Sequence, residues 1–268
     1  MIISHPHKFN LPFFWFHFMS DHRHHHHFVN MSQQIATIAT NLNNEGISRM
    51  DSADYEGAAS AFSKGLSIVK RALASPEWDD LSSKALDQAA NQDTPACQFC
   101  KLQSFDSDML IDQDEQQDWM NQDGFVFNEP IMVLPQSLET PGYSYFVKLS
   151  FIQLYNLALS HHLCALKQPK PKRFLQKALS LYELAYTIHV SEDVELTILQ
   201  SMAIVNNLGH LHRRLNDQEK STQCFENLLT TLMFVKDCGD QDSYQLLDGF
   251  LSNVISLILC GPKPAPAA

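Results

Sequence analysis

The chain has 268 residues, 44% hydrophobic and 18% charged, enough to bury one large core or two small ones. Its formal net charge of −11 argues against broad nucleic-acid binding, which needs clustered lysine and arginine. That objection weakens only at the patch Lys167, Lys170, Lys172 and Arg173. Six cysteines (Cys97, Cys100, Cys164, Cys224, Cys238 and Cys260) have no repeating short spacing, as expected of reduced thiols in an intracellular protein rather than a disulfide framework.

Residues 1–30 are expected to be a disordered or non-native leader. Its apolar run from Leu11 to Met19 covers about nine residues where a membrane span needs about 20. The lone Lys8 gives a faint signal-peptide look, but no small-residue cleavage site follows, and a histidine tract (His24 to His27) comes instead. Met31 offers an alternative start. With no other long apolar run, the expectation is a soluble protein with no membrane span, cytoplasmic, with the nucleus left open.

Residues 31–74 read as a helical hairpin. Ile35, Ile38, Ala39 and Leu42 share one helix face, and Ala58, Ala61, Phe62, Leu66 and Val69 share another after a polar break at residues 51–54. Residues 75–140 carry many carboxylates against Lys84 and Lys101, and are expected to form a largely disordered acidic insertion. Within it, Phe125-Val126-Phe127 and Ile131-Met132-Val133-Leu134 have β-like character. They suggest an extended segment packed on the helices, kept off any central strand position by Pro130 and Pro135.

Residues 141–260 return to helical periodicity. One helix carries Leu149, Ile152, Leu157, Leu159 and Leu163, and the next carries Phe174, Leu175, Leu179, Tyr182 and Ala185. A further pair is expected over about 193–214 and 218–235, then a last amphipathic helix over 243–259 suited to cap a stack with a polar outer face. Residues 261–268, with Gly261 and three prolines, read as a disordered tail.

Internal similarity links the hairpins. Gly46 is followed by Ala58, Phe62 and Gly65; Gly209 is followed at the same offsets by Ser221, Phe225 and Leu228. Ala158, Ala178, Tyr182 and Ala185 repeat the pattern with a longer turn. A small residue at a helix crossing lets two helices approach, and an aromatic fills the gap beside it. The pattern resembles the tetratricopeptide repeat, especially at Asn156-Leu157-Ala158 and Asn207-Leu208-Gly209. The large aromatic of the first helix and the closing proline of that family are absent. The stretches Tyr155 to His162, Leu181 to Tyr186, Ala203 to His210 and Asp248-Gly249-Phe250 are also similar to tetratricopeptide-like proteins of diatom algae. What both resemblances imply is an all-α stack of three hairpins and a capping helix, interrupted by the acidic insertion, with a concave face for another protein; neither implies an established activity.

Chemical motifs add little. Cys97-Gln98-Phe99-Cys100 is a lone Cys-x-x-Cys with no second ligand pair for zinc, and the histidine tract has nothing to fix its geometry. No phosphate loop, nucleophile elbow or zinc-protease motif occurs, so neither an enzyme nor a bound cofactor is expected. His161 and His212 occupy a packing position. His162, Asn206, His210, Arg213 and Arg214 are the candidates to line the inner groove and meet an acidic partner. The resemblance does not extend to the clamp with which some tetratricopeptide proteins hold chaperone tails. Asn43, Ile47, Ala203 and Asn207 stand at its positions, and only Asn156 matches. The expected function is a scaffold or adaptor that binds a peptide or helix of another protein. Alternatives are a self-associating regulatory protein whose acidic insertion covers the groove, and a metal-binding or redox protein using the histidine tract with Cys97 and Cys100.

Overall fold

No glycine or proline interrupts the sequence between Phe13 and Gly46, and this stretch runs as one helix, α1 (Phe13–Asp51). The backbone of residues 13–30, within the stretch expected to be a disordered or non-native leader, is helical and continuous with the first helix. The computed structural model describes residues 13–75, 124–134, 141–192, 194, 196–238 and 244–259, without side chains at 13–29 and 256–259 or near the 238–244 junction. Cys97, Cys100, most of the acidic stretch and the tail 261–268 lie outside the described residues, as do the side chains of the histidine tract.

Helices α2 (Tyr55–Leu73), α3 (Tyr143–Lys167), α4 (Lys172–Ser191), α5 (Ile198–Arg214), α6 (Gln218–Cys238) and α7 (Tyr244–Leu259) follow, and the described residues form an all-α fold with no strand. Consecutive helices pack as the hairpins α1/α2, α3/α4 and α5/α6. The hairpins stack through α2 on α3 and α4 on α5, and α7 closes on α6. The first helices of neighbouring units also touch, α1 on α3 and α5 on α7. Helix α3 lies at the centre with α1, α2 and α4 around it. It is therefore buried on nearly every side, where α4 buries only Leu175, Ala178, Tyr182 and Ala185.

The small-and-aromatic repeat does the packing its spacing suggests. Phe62, Tyr182 and Phe225 are all essentially inaccessible. A Cβ added to Gly46 would lie 2.5 Å from the Phe62 ring, and one added to Gly209 would lie 2.8 Å from that of Phe225. Between hairpins, a Cβ on Gly65 would sit 2.5 Å from the Gln153 amide, whose Nε2 donates to Ala39 O at 2.9 Å.

The turns repeat as well. Ala53 (φ 57°) and Asn216 (φ 65°) stand seven residues after Gly46 and Gly209 in left-handed conformation. The aspartate that follows each accepts a backbone N–H of the next helix, Asp54 from Gly57 and Asp217 from Lys220. Helix α5 starts at Ile198, later than the expected 193, because Thr197 and Gln200 form a reciprocal capping box that fixes the first turn there. The outer face of α7 is less polar than a cap suggests, with Leu251 36% and Ile255 50% exposed.

Candidate peptide groove

The first helix of each hairpin carries an asparagine two residues ahead of its small residue: Asn44, Asn156 and Asn207. With Asn253 of α7 they line one side of the stack, and residues 124–134 lie along that line in extended form. Each asparagine grips both main-chain groups of one segment residue. Asn156 Oδ1 accepts Ile131 N–H at 2.8 Å while its Nδ2 donates to Ile131 O at 2.9 Å. Asn207 does the same to Phe127 at 2.9 Å and 2.9 Å, and Asn253 to Phe125 at 2.9 Å and 2.7 Å. Asn44 holds Val133 more loosely, at 3.4 Å and 3.0 Å. Only one orientation of each amide satisfies a donor and an acceptor together, so the main chain determines which amide atom is oxygen.

Further bonds tie the row together. Asn43 Nδ2 adds a second donor to Ile131 O at 3.1 Å, and its Oδ1 accepts Asn156 Nδ2 at 2.9 Å. Asn206 Nδ2 adds one to Phe125 O at 3.1 Å, and its Oδ1 accepts Asn253 Nδ2 at 2.7 Å. Tyr155 Oη donates to Glu129 O at 3.3 Å, and Asn207 Nδ2 reaches Tyr182 Oη at 3.0 Å. Burial pushes both phenols up, so they stay neutral donors or acceptors. Asn43, Asn156, Asn206, Asn207 and Asn253 are all essentially inaccessible. Leaving any of them unpaired there would be costly, and the segment satisfies them.

The grip falls on residues 125, 127, 129, 131 and 133, every second residue. In an extended chain the N–H and C=O of one residue point to the same edge, and the next residue's point to the other. Pro130 belongs to the outward set, so its missing N–H costs no groove bond. Side-chain burial keeps the same phase. Phe127 and Val133 are buried and Phe125 and Ile131 pack on the core, whereas Asn128, Met132 and Leu134 are exposed. The segment runs from α7 past α5 and α3 to α1, opposite to the order of the stack.

The residues expected to line the groove divide. Asn206 touches the segment, as described. The Arg213 guanidinium abuts Gly124, where an added Cβ would overlap it, and lies 5.6 Å from the Phe225 ring centroid. Gly124 has φ +86°, which suits glycine. His162 and His210 are fully buried and bond to each other, Nε2 to Nδ1, at 2.9 Å, and so bridge α3 and α5. Burial, then His210 and Arg214, hold His162 well below the usual imidazole range. Arg214 is half-buried at the end of α5. The four residues that each grip both main-chain groups of one segment residue, Asn44, Asn156, Asn207 and Asn253, were not among those expected. The signal for three of them was the fixed offset to the small residue.

Among the described residues no group of histidine, cysteine and acidic side chains is placed to hold a metal ion, and no helix is long and apolar enough to cross a membrane. No protein-family model matches the chain, and neither the curated proteins nor the solved structures yielded a match.

Proposed function

We propose that this protein holds an extended segment of another protein in the asparagine-lined groove, and that residues 124–134 are a resident occupant which the partner displaces. The observation that carries this is the row of four asparagines, each gripping both main-chain groups of one segment residue. Such a grip depends on the backbone of an extended chain, so a segment from elsewhere meets it as well as the chain's own. On this view the protein is a holding module of tetratricopeptide-like type and not a catalyst, and the resident segment makes it self-regulated.

Proximity labelling in the native cell tests the proposal. The wild-type chain is compared with one carrying Phe127→Asp and Val133→Asp, which place carboxylates where the segment is most buried. The expected result is a set of neighbours gained or strongly enriched in the variant, with helix content unchanged by circular dichroism. An identical set of neighbours from two equally folded chains contradicts the proposal.

A further inference from the structure

The resident segment also carries the side-chain rule for whatever replaces it, an inference that rests on the groove reading above. We infer that the partner presents a nine-residue extended stretch with large apolar side chains at its first, third, seventh and ninth positions. The first two are aromatic, the last two are branched aliphatic, the fifth is uncharged, and the N-terminus lies toward α7.

Each element of the rule has a contact behind it. The first position, Phe125, lies over Gly249, where an added Cβ would stand 2.5 Å from the ring, and it meets Phe250 edge-on at 5.3 Å. The third, Phe127, stacks on the same ring, 5.6 Å from Phe250 with the planes 16° apart. One phenylalanine of α7 thus serves two aromatic subsites. The ninth, Val133, is 1% exposed in a site already filled, so a larger residue would overpack it. The seventh, Ile131, packs on the core beneath the double grip of Asn43 and Asn156.

Because the asparagines fix which residues face inward, sliding a peptide by one residue would turn all four apolar side chains to solvent. The fourth and eighth positions, Asn128 and Met132 in the resident, are exposed and free to vary.

The fifth position is where the resident is weakest. Glu129 is half-buried, pairs with no cation among the described residues, and is held only through its carbonyl by the 3.3 Å bond from Tyr155. Burial raises its carboxyl above the usual range. A charge sits where the groove offers it nothing, and a segment without that charge has an advantage over the resident. The chain therefore keeps its groove filled with an occupant that is correct in register but handicapped at one position.

The test uses the full-length chain with Phe127→Asp and Val133→Asp and a fluorescent synthetic peptide of residues 124–134, read by anisotropy. Three unlabelled competitors follow: the same peptide with Glu129→Gln, a peptide of the same composition with the last two apolar residues moved one place and the first two left where they are, and the reversed sequence. The Gln peptide is expected to compete severalfold better than the parent at neutral pH. That advantage should vanish as the pH falls and the parent carboxyl takes a proton. The shifted and reversed peptides should be weaker by about a hundredfold or more, the scale of losing two buried apolar anchors.

Equal competition by the shifted peptide would overturn the rule while leaving the groove reading intact. A folded variant that binds none of the peptides would overturn both. A mixture of wild-type and variant chains that elutes as a stable dimer would identify the occupant as a second copy and overturn the outside partner. If the double variant does not fold, the Gln peptide is added to the wild-type chain instead. Loss of exchange protection at the Phe127 amide then marks displacement, and unchanged protection at saturating peptide counts against the inference.

Discussion

Substituting Asn207→Ala separates a replaceable occupant from a fixed piece of core. The side chain is fully buried and holds Phe127 N–H, Phe127 O and Tyr182 Oη at 2.9, 2.9 and 3.0 Å. Truncation leaves both main-chain groups of buried Phe127 without their partner. At about 1–3 kcal/mol for each of the two orphaned groups, the docked segment loses about 4 kcal/mol, near a thousandfold in its docked-to-undocked ratio; the phenol bond is lost whether or not the segment is docked. If the segment is an occupant, it leaves, water satisfies its groups, and the seven helices persist. Urea unfolding followed by circular dichroism would then show a midpoint lowered by much less than that loss implies, while protease cuts between Phe125 and Val133. If the segment belongs to the core, the full loss appears in global unfolding instead. A variant within about 0.5 kcal/mol of wild type, with Phe127 still protected, would refute the geometry of the grip itself.

Other expectations follow from particular contacts. Gly46→Ala places a Cβ 2.5 Å from the fully buried Phe62 ring. The overpacking cost of about 1–3 kcal/mol should exceed alanine's helix advantage of about 1, with part of the loss recovered by adding Phe62→Leu; denaturant midpoints measure both. Ala53→Gly relieves an L-residue held at φ 57° and should raise stability by about 1 kcal/mol. The pH dependence has a definite sign. Burial lowers His161, His162 and His212, with Lys177 adding to it at His161, His210 and Arg214 at His162, and Asp217 opposing it at His212. Above about pH 6.5 these rings are neutral folded and unfolded and contribute nothing. Below it the unfolded chain takes up protons that the fold resists, so stability falls by up to about 1.4 kcal/mol per pH unit for each ring. Unfolding free energies at pH 7.5, 6.0 and 5.0 should decline in that order, and His162→Gln should flatten the decline.

Much of the scaffold is legible in the residues. The spacing of Gly46, Gly209 and Ala158 from Phe62, Phe225 and Tyr182 is a direct imprint of helix contact, because only a small residue tolerates the ring. The β-like character of 125–127 and 131–134 likewise marks an extended stretch that buries alternate side chains. Where that stretch docks is not legible, since the asparagines hold main-chain atoms and a main-chain grip leaves no signature in the side chains of the segment it holds. Asn43, Asn156 and Asn207 were compared only with a clamp for charged tails, in which Asn156 matches while Asn43 and Asn207 stand where other residues are asked for. His162 and His210 share the helices of the groove but turn toward each other, a rotation that periodicity does not resolve between neighbouring faces. The early start of α1 and late start of α5 have local causes: an uninterrupted run after Pro12, and the cap at Thr197.

Amide hydrogen exchange read residue by residue along 125–133 bears most directly on the groove and its occupant. Exchange should alternate: slow at Phe125, Phe127, Ile131 and Val133, whose N–H groups the asparagines accept, and fast at Val126, Asn128 and Met132 between them. Uniformly fast exchange, or protection in the opposite phase, would contradict the grip.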